Sequence, residues 1–78
     1  MIKKVEKVSC RKIIKHLFAS AKGLWIHPWS LPDYGIGVFN KRYLVNVYHS
    51  TLLDMEKEGL VEKKMDEDRY IVFRSVKK

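Results

Sequence analysis

The chain has 78 residues and a formal net charge of +7, with 16 Lys or Arg against 9 Asp or Glu. A chain this short buries only about 60% of the surface that it exposes when unfolded, which leaves little room for an enclosed active site. Residues 1–23 hold seven basic side chains against one acidic one, whereas residues 51–78 are neutral. We therefore expect one domain over residues 1–78, with a basic end that favours polyanions such as nucleic acid.

The reactive side chains argue against an enzyme or a metalloprotein. A single cysteine excludes an internal disulfide, and the Cys and His residues lack the paired spacing of a zinc site. These residues are Cys10, His16, His27 and His49. Gly35-Ile-Gly37 lacks the rest of a phosphate-binding loop. We predict no catalytic centre, no metal and no cofactor. Without an apolar run of about 18 residues or a signal-peptide pattern, we also predict a cytoplasmic protein that does not contact membranes.

The first predicted element is a helix that begins at a capping Ser9 and ends at Gly23. A serine side chain accepts a hydrogen bond from a free amide of the first turn, and glycine adopts the left-handed conformation after the last turn. Residues 1–8 either extend this helix or form a loose basic arm. The apolar side of the helix is predicted to hold Cys10, Ile14, Leu17, Phe18 and Ala21.

A short strand is predicted next, over residues 24–27, where it pairs with a C-terminal hairpin. Pro28 ends this strand, because proline has no amide hydrogen to donate. Trp25 and Trp29 are expected in the core, between the first helix and the sheet. The alternative is an exposed aromatic patch that contacts a partner, since tryptophan is favoured at protein interfaces.

The middle of the chain allows two interpretations. Ser30 and Asp33 have the spacing of a capping serine and its acidic partner, which predicts the start of a second helix. In the favoured interpretation, this helix spans residues 32–41 and a turn leads to a third helix. In the alternative, Asn40 caps one long helix that continues through Glu58, and the residues before Asn40 form an extended loop.

The third helix is amphipathic, with Asn46 predicted as its N-cap and Gly59 as the residue that ends it. Counting 100° per residue defines its two faces. The face predicted to be buried holds Val45, Tyr48, Leu52 and Met55. The opposite face holds Asn46, Val47, Ser50, Leu53, Asp54 and Lys57.

A hairpin is predicted after Gly59, because two apolar runs flank a short polar turn. The first run begins at Leu60 and continues into a basic segment, and the second covers residues 70–73. The turn holds Asp66, Glu67 and Asp68.

Two segments resemble a known pattern. STLLDMEKEGLVEKK, residues 50–64, resembles the end of the recognition helix in PadR-like and MarR-like transcription regulators. DEDRYIVF, residues 66–73, is similar to the MarR-like wing. Tyr48 and Met55 stand where leucine is common in those families. The resemblance implies an α+β winged helix-turn-helix domain in the order helix, strand, helix, helix, strand, strand. It also implies a small DNA-binding repressor or activator that forms a homodimer on a palindromic site.

In this interpretation, the third helix enters the major groove of double-stranded DNA. The side chains predicted to contact bases are Asn46, Val47, His49, Ser50 and Leu53. The side chains predicted to hold phosphates are Lys41, Arg42, Lys63, Lys64 and Arg69. Arg69 is expected to reach the minor groove from the wing. Three alternatives stay open: Asn46 only caps its helix, His49 contacts phosphate, and Leu53 packs against the second helix. Asp54 faces the same surface and would repel phosphate unless it is paired.

Two other functions fit the same sequence, since a fold does not determine a function. One is a winged helix that contacts proteins within a larger assembly, which the neutral second half of the chain favours. The other is a basic first helix that binds RNA or an acidic partner. A positive face shared by the third helix and the wing favours DNA, whereas a positive first helix on the far side favours the alternatives.

Overall fold

Three α-helices and one antiparallel hairpin make up the α+β domain in the computed structural model, which describes residues 3–76. The elements are α1 (Lys4–Ser20), a 3₁₀ turn (Pro28–Ser30), α2 (Leu31–Phe39), α3 (Val45–Lys57), β1 (Val61–Met65) and β2 (Ile71–Ser75). None of the helices within these residues is both long and apolar enough to cross a membrane.

Helix α1 starts earlier than the sequence predicted. Its first residue is Lys4, so Ser9 lies inside the helix and its predicted role as a cap is wrong. Glu6 lies in the first turn, where a negative charge favours the helix N-terminus. Residues 4–8 therefore extend the helix and Lys3 is its N-cap, whereas residues 1–2 of the predicted arm lie outside the described part. The buried face consists of Cys10, Ile13, Ile14 and Phe18.

The predicted first strand is absent from the described chain. Ile26 alone pairs with Phe73, through amide-to-carbonyl hydrogen bonds of 2.7 and 2.9 Å in the two directions. Pro28 opens the 3₁₀ turn two residues later. Because proline offers no amide hydrogen and turns the chain away, the pairing cannot extend beyond this single bridge.

Helices α2 and α3 are separate, as in the favoured interpretation. Asn40 follows α2 with φ 55° and its amide donates back to Ile36, so the left-handed residue ends one helix and does not cap a longer one. Ser30 occupies the cap position of α2, yet its side chain makes no capping hydrogen bond. Its backbone is already helical because the 3₁₀ turn leads directly into α2.

The start and the buried face of α3 differ from the prediction. Leu44 is the N-cap residue and Asn46 lies within the first turn, so the predicted Asn46 cap is wrong. Val45 was expected in the core but is 42% exposed, while Val47 was expected outside and is 5% exposed. Tyr48, Leu52 and Met55 are buried as predicted. The exchange of the two valines shows that the buried stripe is rotated toward Val47, where α1 packs against α3.

Gly59 ends α3 as predicted. It has φ 79°, its amide donates to Glu56, and the next amide, of Leu60, donates to Met55 at 3.0 Å. This pair of hydrogen bonds closes the last helical turn and directs the chain into β1.

The predicted hairpin is confirmed. Strands β1 and β2 pair in a register that places Val61 opposite Ser75 and Met65 opposite Ile71. Asp66 organises the turn, since its carboxylate accepts hydrogen bonds from the amides of Asp68 and Tyr70.

The core lies where α1, α3 and the inner face of the hairpin meet. Its largest fully buried side chains include Tyr48 and Phe73. Burial raises the pKa of the Cys10 thiol to about 11, so this lone cysteine is an apolar core residue and not a reactive thiol.

Candidate nucleic-acid interface

The solvent-facing side of α3 carries most of the side chains that were predicted to contact bases. Asn46 is exposed, whereas His49, Ser50 and Leu53 are half-buried. Within residues 3–76, the side chains of Asn46 and Ser50 make no hydrogen bond to protein, so their polar atoms are available to a ligand. Leu53 packs partly against the core, which limits it to an apolar contact at the edge of this face.

Val47 does not belong to this surface. It is 5% exposed and forms part of the hydrophobic core, where its carbonyl accepts a hydrogen bond from the buried Thr51 hydroxyl at 2.8 Å. A buried methyl group cannot reach a base edge, so we leave Val47 out of the candidate contacts.

The hairpin flanks α3 and is held to it by two contacts. Lys63 Nζ lies 3.5 Å from Glu56 Oε1, and the His49 ring meets the Phe73 ring edge-on, with centroids 5.8 Å apart. The predicted phosphate contact Lys63 is therefore already paired with a carboxylate. Lys64 is exposed, with its Nζ 4.6 Å from the centre of the Trp25 ring.

Arg69 lies in the turn of the hairpin with its side chain exposed. Its φ of 67° is in the left-handed region, which is uncommon for arginine and sets the direction in which its side chain leaves the turn. The Asp66 carboxylate holds this turn in place and also bonds the His27 ring, with 2.8 Å between Oδ2 and Nε2. The pKa of Asp66 is lowered, chiefly because the Tyr70 amide donates to it and further because of His27.

The loop between α2 and α3 supplies Lys41 and Arg42, both of which are exposed. The helix that follows has no acidic residue in its first turn and no side chain that caps its free amides. The N-terminal end of a helix carries partial positive charge, so this end of α3 and the loop attract anions together.

The acidic residues near the end of α3 are neutralised by α1. Lys7 Nζ bonds Asp54 Oδ2 at 2.8 Å, and the Arg11 guanidinium bonds both carboxylate oxygens of Glu58. These hydrogen bonds, from Lys7 and Arg11 respectively, are the main reason why the pKa values of Asp54 and Glu58 are lowered. The phosphate repulsion expected from Asp54 is therefore weakened by its partner.

An aromatic cluster that the sequence analysis did not assign to the site lies beside the start of α3. Trp29 is 50% exposed, so the expected core position is wrong for this residue. Its ring stacks on His27 at a centroid distance of 4.3 Å and meets Tyr70 edge-on at 4.7 Å. Trp25 is half-buried on the hairpin, beneath Lys64 and Arg74. In the sequence, Pro28 could have indicated that Trp29 is exposed, because this proline turns the chain just before Trp29.

A pocket of about 320 Å³ opens between this cluster and α3. It is lined by Pro28, Trp29, Val45, Asn46, His49 and Ile71. Its wall is mostly apolar, and Asn46 and His49 are the polar residues among those that line it.

No group of three or more His, Cys, Asp or Glu side chains that could hold a metal ion occurs among residues 3–76. Comparison with known proteins adds no relative, because no protein-family model, curated protein or solved structure matches this chain.

Proposed function

We propose that this chain is a winged helix-turn-helix protein that binds double-stranded DNA with α3 and uses the β1–β2 hairpin as its wing. The observation that carries the proposal is the solvent-facing side of α3, where free polar side chains lie between a basic loop and a hairpin. The order of the elements and the bridge from Ile26 to Phe73 support the same fold, with the bridge in place of the first strand.

Helix α3 would lie in the major groove, which is wide enough to admit an α-helix. Asn46 and Ser50 would hydrogen-bond base edges, because both have polar atoms without a protein partner. His49 would contact a base or a phosphate from the side nearer the hairpin, and Leu53 a thymine methyl group.

Phosphates on the two sides of that groove would be held from two directions. Lys41 and Arg42 lie in the loop before α3, and Lys64 and Arg69 lie on the wing. Lys63 would first have to exchange its contact with Glu56 for one with DNA. Such contacts position the protein on the duplex without selecting a sequence.

The test is a titration of fluorescently labelled mixed-sequence duplex by anisotropy at several salt concentrations. We expect binding at low salt, with a log–log slope of about −0.9 for each phosphate neutralised. A control titration with poly-glutamate separates duplex binding from general attraction to polyanions. If the duplex does not bind at low salt, or binds no better than poly-glutamate, the DNA proposal is wrong.

Contact with another protein is the second candidate, and exposed apolar side chains in α2 and just before α3 favour it. Leu44 is 71% exposed immediately before α3, and Val38 near the end of α2 is also exposed. Apolar residues of this kind suit a protein interface better than a phosphate backbone. A chain that fails the duplex titration would be assigned to this class.

As a transcription regulator, the protein would act as a homodimer on a palindromic site. Two copies related by a twofold axis would place two α3 helices in successive major grooves, about 34–36 Å apart. Sedimentation velocity with and without a palindromic duplex tests this arrangement, and a monomer that binds one copy per duplex would contradict it.

A further inference from the structure

We propose that the pocket between Trp29 and the start of α3 takes one unpaired nucleobase, so that the protein prefers a duplex with an adjoining single strand to a continuous duplex. This inference rests on the proposed DNA binding and specifies its substrate class. The geometry that carries it is the half-exposed Trp29 ring at the wall of a mostly apolar pocket that Asn46 and His49 also line.

The aromatic rings in this region are held in place by the protein. Trp29 stacks on His27 with 24° between the ring planes, and Tyr70 packs against it at 86°. His27 is in turn bonded to Asp66, which also organises the hairpin turn. Trp29 is therefore supported by both the 3₁₀ turn and the hairpin, although half of its surface remains exposed.

The residues that line the pocket can contact both the flat face and the polar edge of a nucleobase. A base has a flat π-face that stacks on an aromatic ring and a polar edge that needs hydrogen bonds. Trp29, Val45 and Ile71 provide apolar surface, and the exposed Asn46 carboxamide can both donate to and accept from a base edge. His49 adds a second polar group at the same pocket.

Charge complementarity favours a nucleic acid strand as the occupant. The protein carries +7, and exposed Lys41 and Arg42 lie in the loop that leads to Val45 and Asn46 of the pocket wall. The hairpin turn before Tyr70 holds Arg69 together with three carboxylates, so the positive charge near the pocket is assigned to the loop. A base inside a duplex is covered by its neighbours on both faces. Only an unpaired base at an end, a junction or a flipped position can stack on a side chain.

The experiment compares three labelled DNAs that share the same duplex. The first has blunt ends, the second carries a short single-stranded tail, and the third carries a tail of the same length made of abasic deoxyribose phosphates. The abasic tail keeps the phosphate charges and removes the bases. We expect the tailed duplex to bind on the order of 10-fold more tightly than the blunt one, which is within the range for stacking one base. We expect the abasic tail to lose most of that gain.

Variants of Trp29 test whether the preference for the tailed duplex depends on this side chain. Trp29→Ala should reduce affinity for the tailed duplex to that for the blunt one, and Trp29→Phe should keep part of the preference because phenylalanine also stacks. Leu24→Ala is the matched control, since Leu24 is an exposed apolar side chain that does not line the pocket. In a Trp25→Phe background, Trp29 is the remaining tryptophan, and its fluorescence should be quenched by the tailed duplex only.

Each outcome decides between the two proposals. Equal affinity for the blunt and tailed duplexes overturns the base pocket and leaves duplex binding intact. A preference that survives Trp29→Ala or the abasic tail also overturns it, because the gain then comes from charge. If no DNA binds in any form, both proposals fail together, and the pocket belongs to a protein partner.

Discussion

At the scale of single residues, Gly35 of α2 and Tyr48 of α3 approach each other closely. A Cβ atom added at Gly35 would collide with the Tyr48 hydroxyl and lie 3.3 Å from the Lys41 carbonyl. That hydroxyl is buried and has no hydrogen-bond partner among residues 3–76, and burial raises the Tyr48 pKa to about 12. The close approach explains why a glycine, which otherwise weakens a helix, lies in the middle of α2.

We expect Gly35→Ala to lower the free energy of unfolding by about 1–3 kcal/mol, because the added methyl group overpacks the core. Tyr48→Phe removes an unpaired polar atom and should be neutral or stabilising. The double variant should recover much of the loss, with a coupling energy above about 0.5 kcal/mol in urea denaturation. Gly37→Ala is the matched control, since it meets open space in the same helix. Additive effects of the two changes would contradict the contact.

At the scale of elements, the hairpin turn depends on one carboxylate. Asp66 accepts bonds from two turn amides and pairs with His27, and its pKa is lowered mainly by the Tyr70 amide. A carboxyl whose pKa is lower in the folded state stabilises the fold above its unfolded pKa, and this contribution is lost as the pH falls.

Unfolding free energy should therefore decrease as the pH falls below about 4, the unfolded value for Asp. Asp66→Ala should flatten this part of the profile, because the variant lacks the titrating group. Urea midpoints between acid and neutral pH measure the effect. Asp68→Ala is the control, since Asp68 contributes only its amide to the turn. If both variants keep the acid slope of the unaltered protein, Asp66 does not hold the turn.

Helix α3 and the hairpin are expected to have different roles in DNA binding. Ser50→Ala should weaken binding to a preferred site more than to random duplex, by a factor on the order of 10 for a base contact. Arg69→Asn and Lys64→Gln should weaken both duplexes alike and reduce the salt slope by about one unit per lost phosphate contact. Asparagine is chosen at Arg69 because it tolerates the left-handed φ of 67°.

Anisotropy on a selected site and on random duplex measures these ratios. Arg69→Lys is the control, because it keeps the charge in the same turn. If Ser50→Ala leaves the specificity ratio unchanged while the wing variants change it, α3 is not the element that contacts bases.

At the scale of the whole molecule, two groups of basic side chains could attract a polyanion. Lys15 and Lys22 border an apolar groove of about 500 Å³ between α1 and the base of the hairpin. Lys41 and Arg42 lie in the loop before α3. Lys7 and Arg11 are occupied by the carboxylates of α3, so they add little to the field around the molecule.

Two double variants, each of which removes two positive charges, test which of the two groups of basic side chains binds DNA. Lys41→Gln with Arg42→Gln should weaken duplex binding and reduce the log–log salt slope by about 1.8 for two lost phosphate contacts. Lys15→Gln with Lys22→Gln should change affinity only slightly, through the net charge, and leave the slope intact. Anisotropy titrations over a range of salt measure both. The reverse result would place the polyanion on α1 and support the RNA or acidic-partner alternative.

Local patterns in the sequence predicted most of the elements. The periodicity over α3, the glycine at position 59 and the polar turn before β2 each act within a few residues, so they could be recognised without a tertiary structure. The separation of α2 from α3 was one of two interpretations of the sequence, and the structure shows that Asn40 ends α2 and does not begin a longer helix. The exposed position of Asn46 and the half-buried position of Ser50, both outside the core, follow from this periodicity as well.

Three features depend on contacts between segments that are distant in the sequence, so only the tertiary structure shows them: the buried face of α3, the long-range side-chain contacts and the single bridge. Helix α1 packs against α3, and Val47 belongs to the shared core while Val45 lies at the pocket. The contacts of Lys7 with Asp54 and of His27 with Asp66 join residues far apart in the chain, so no local pattern indicates them. The predicted strand became one bridge, because strand pairing depends on the partner and on where Pro28 turns the chain. The sequence by itself determined the helices and the hairpin, whereas packing determined which side chains remain free to bind a ligand.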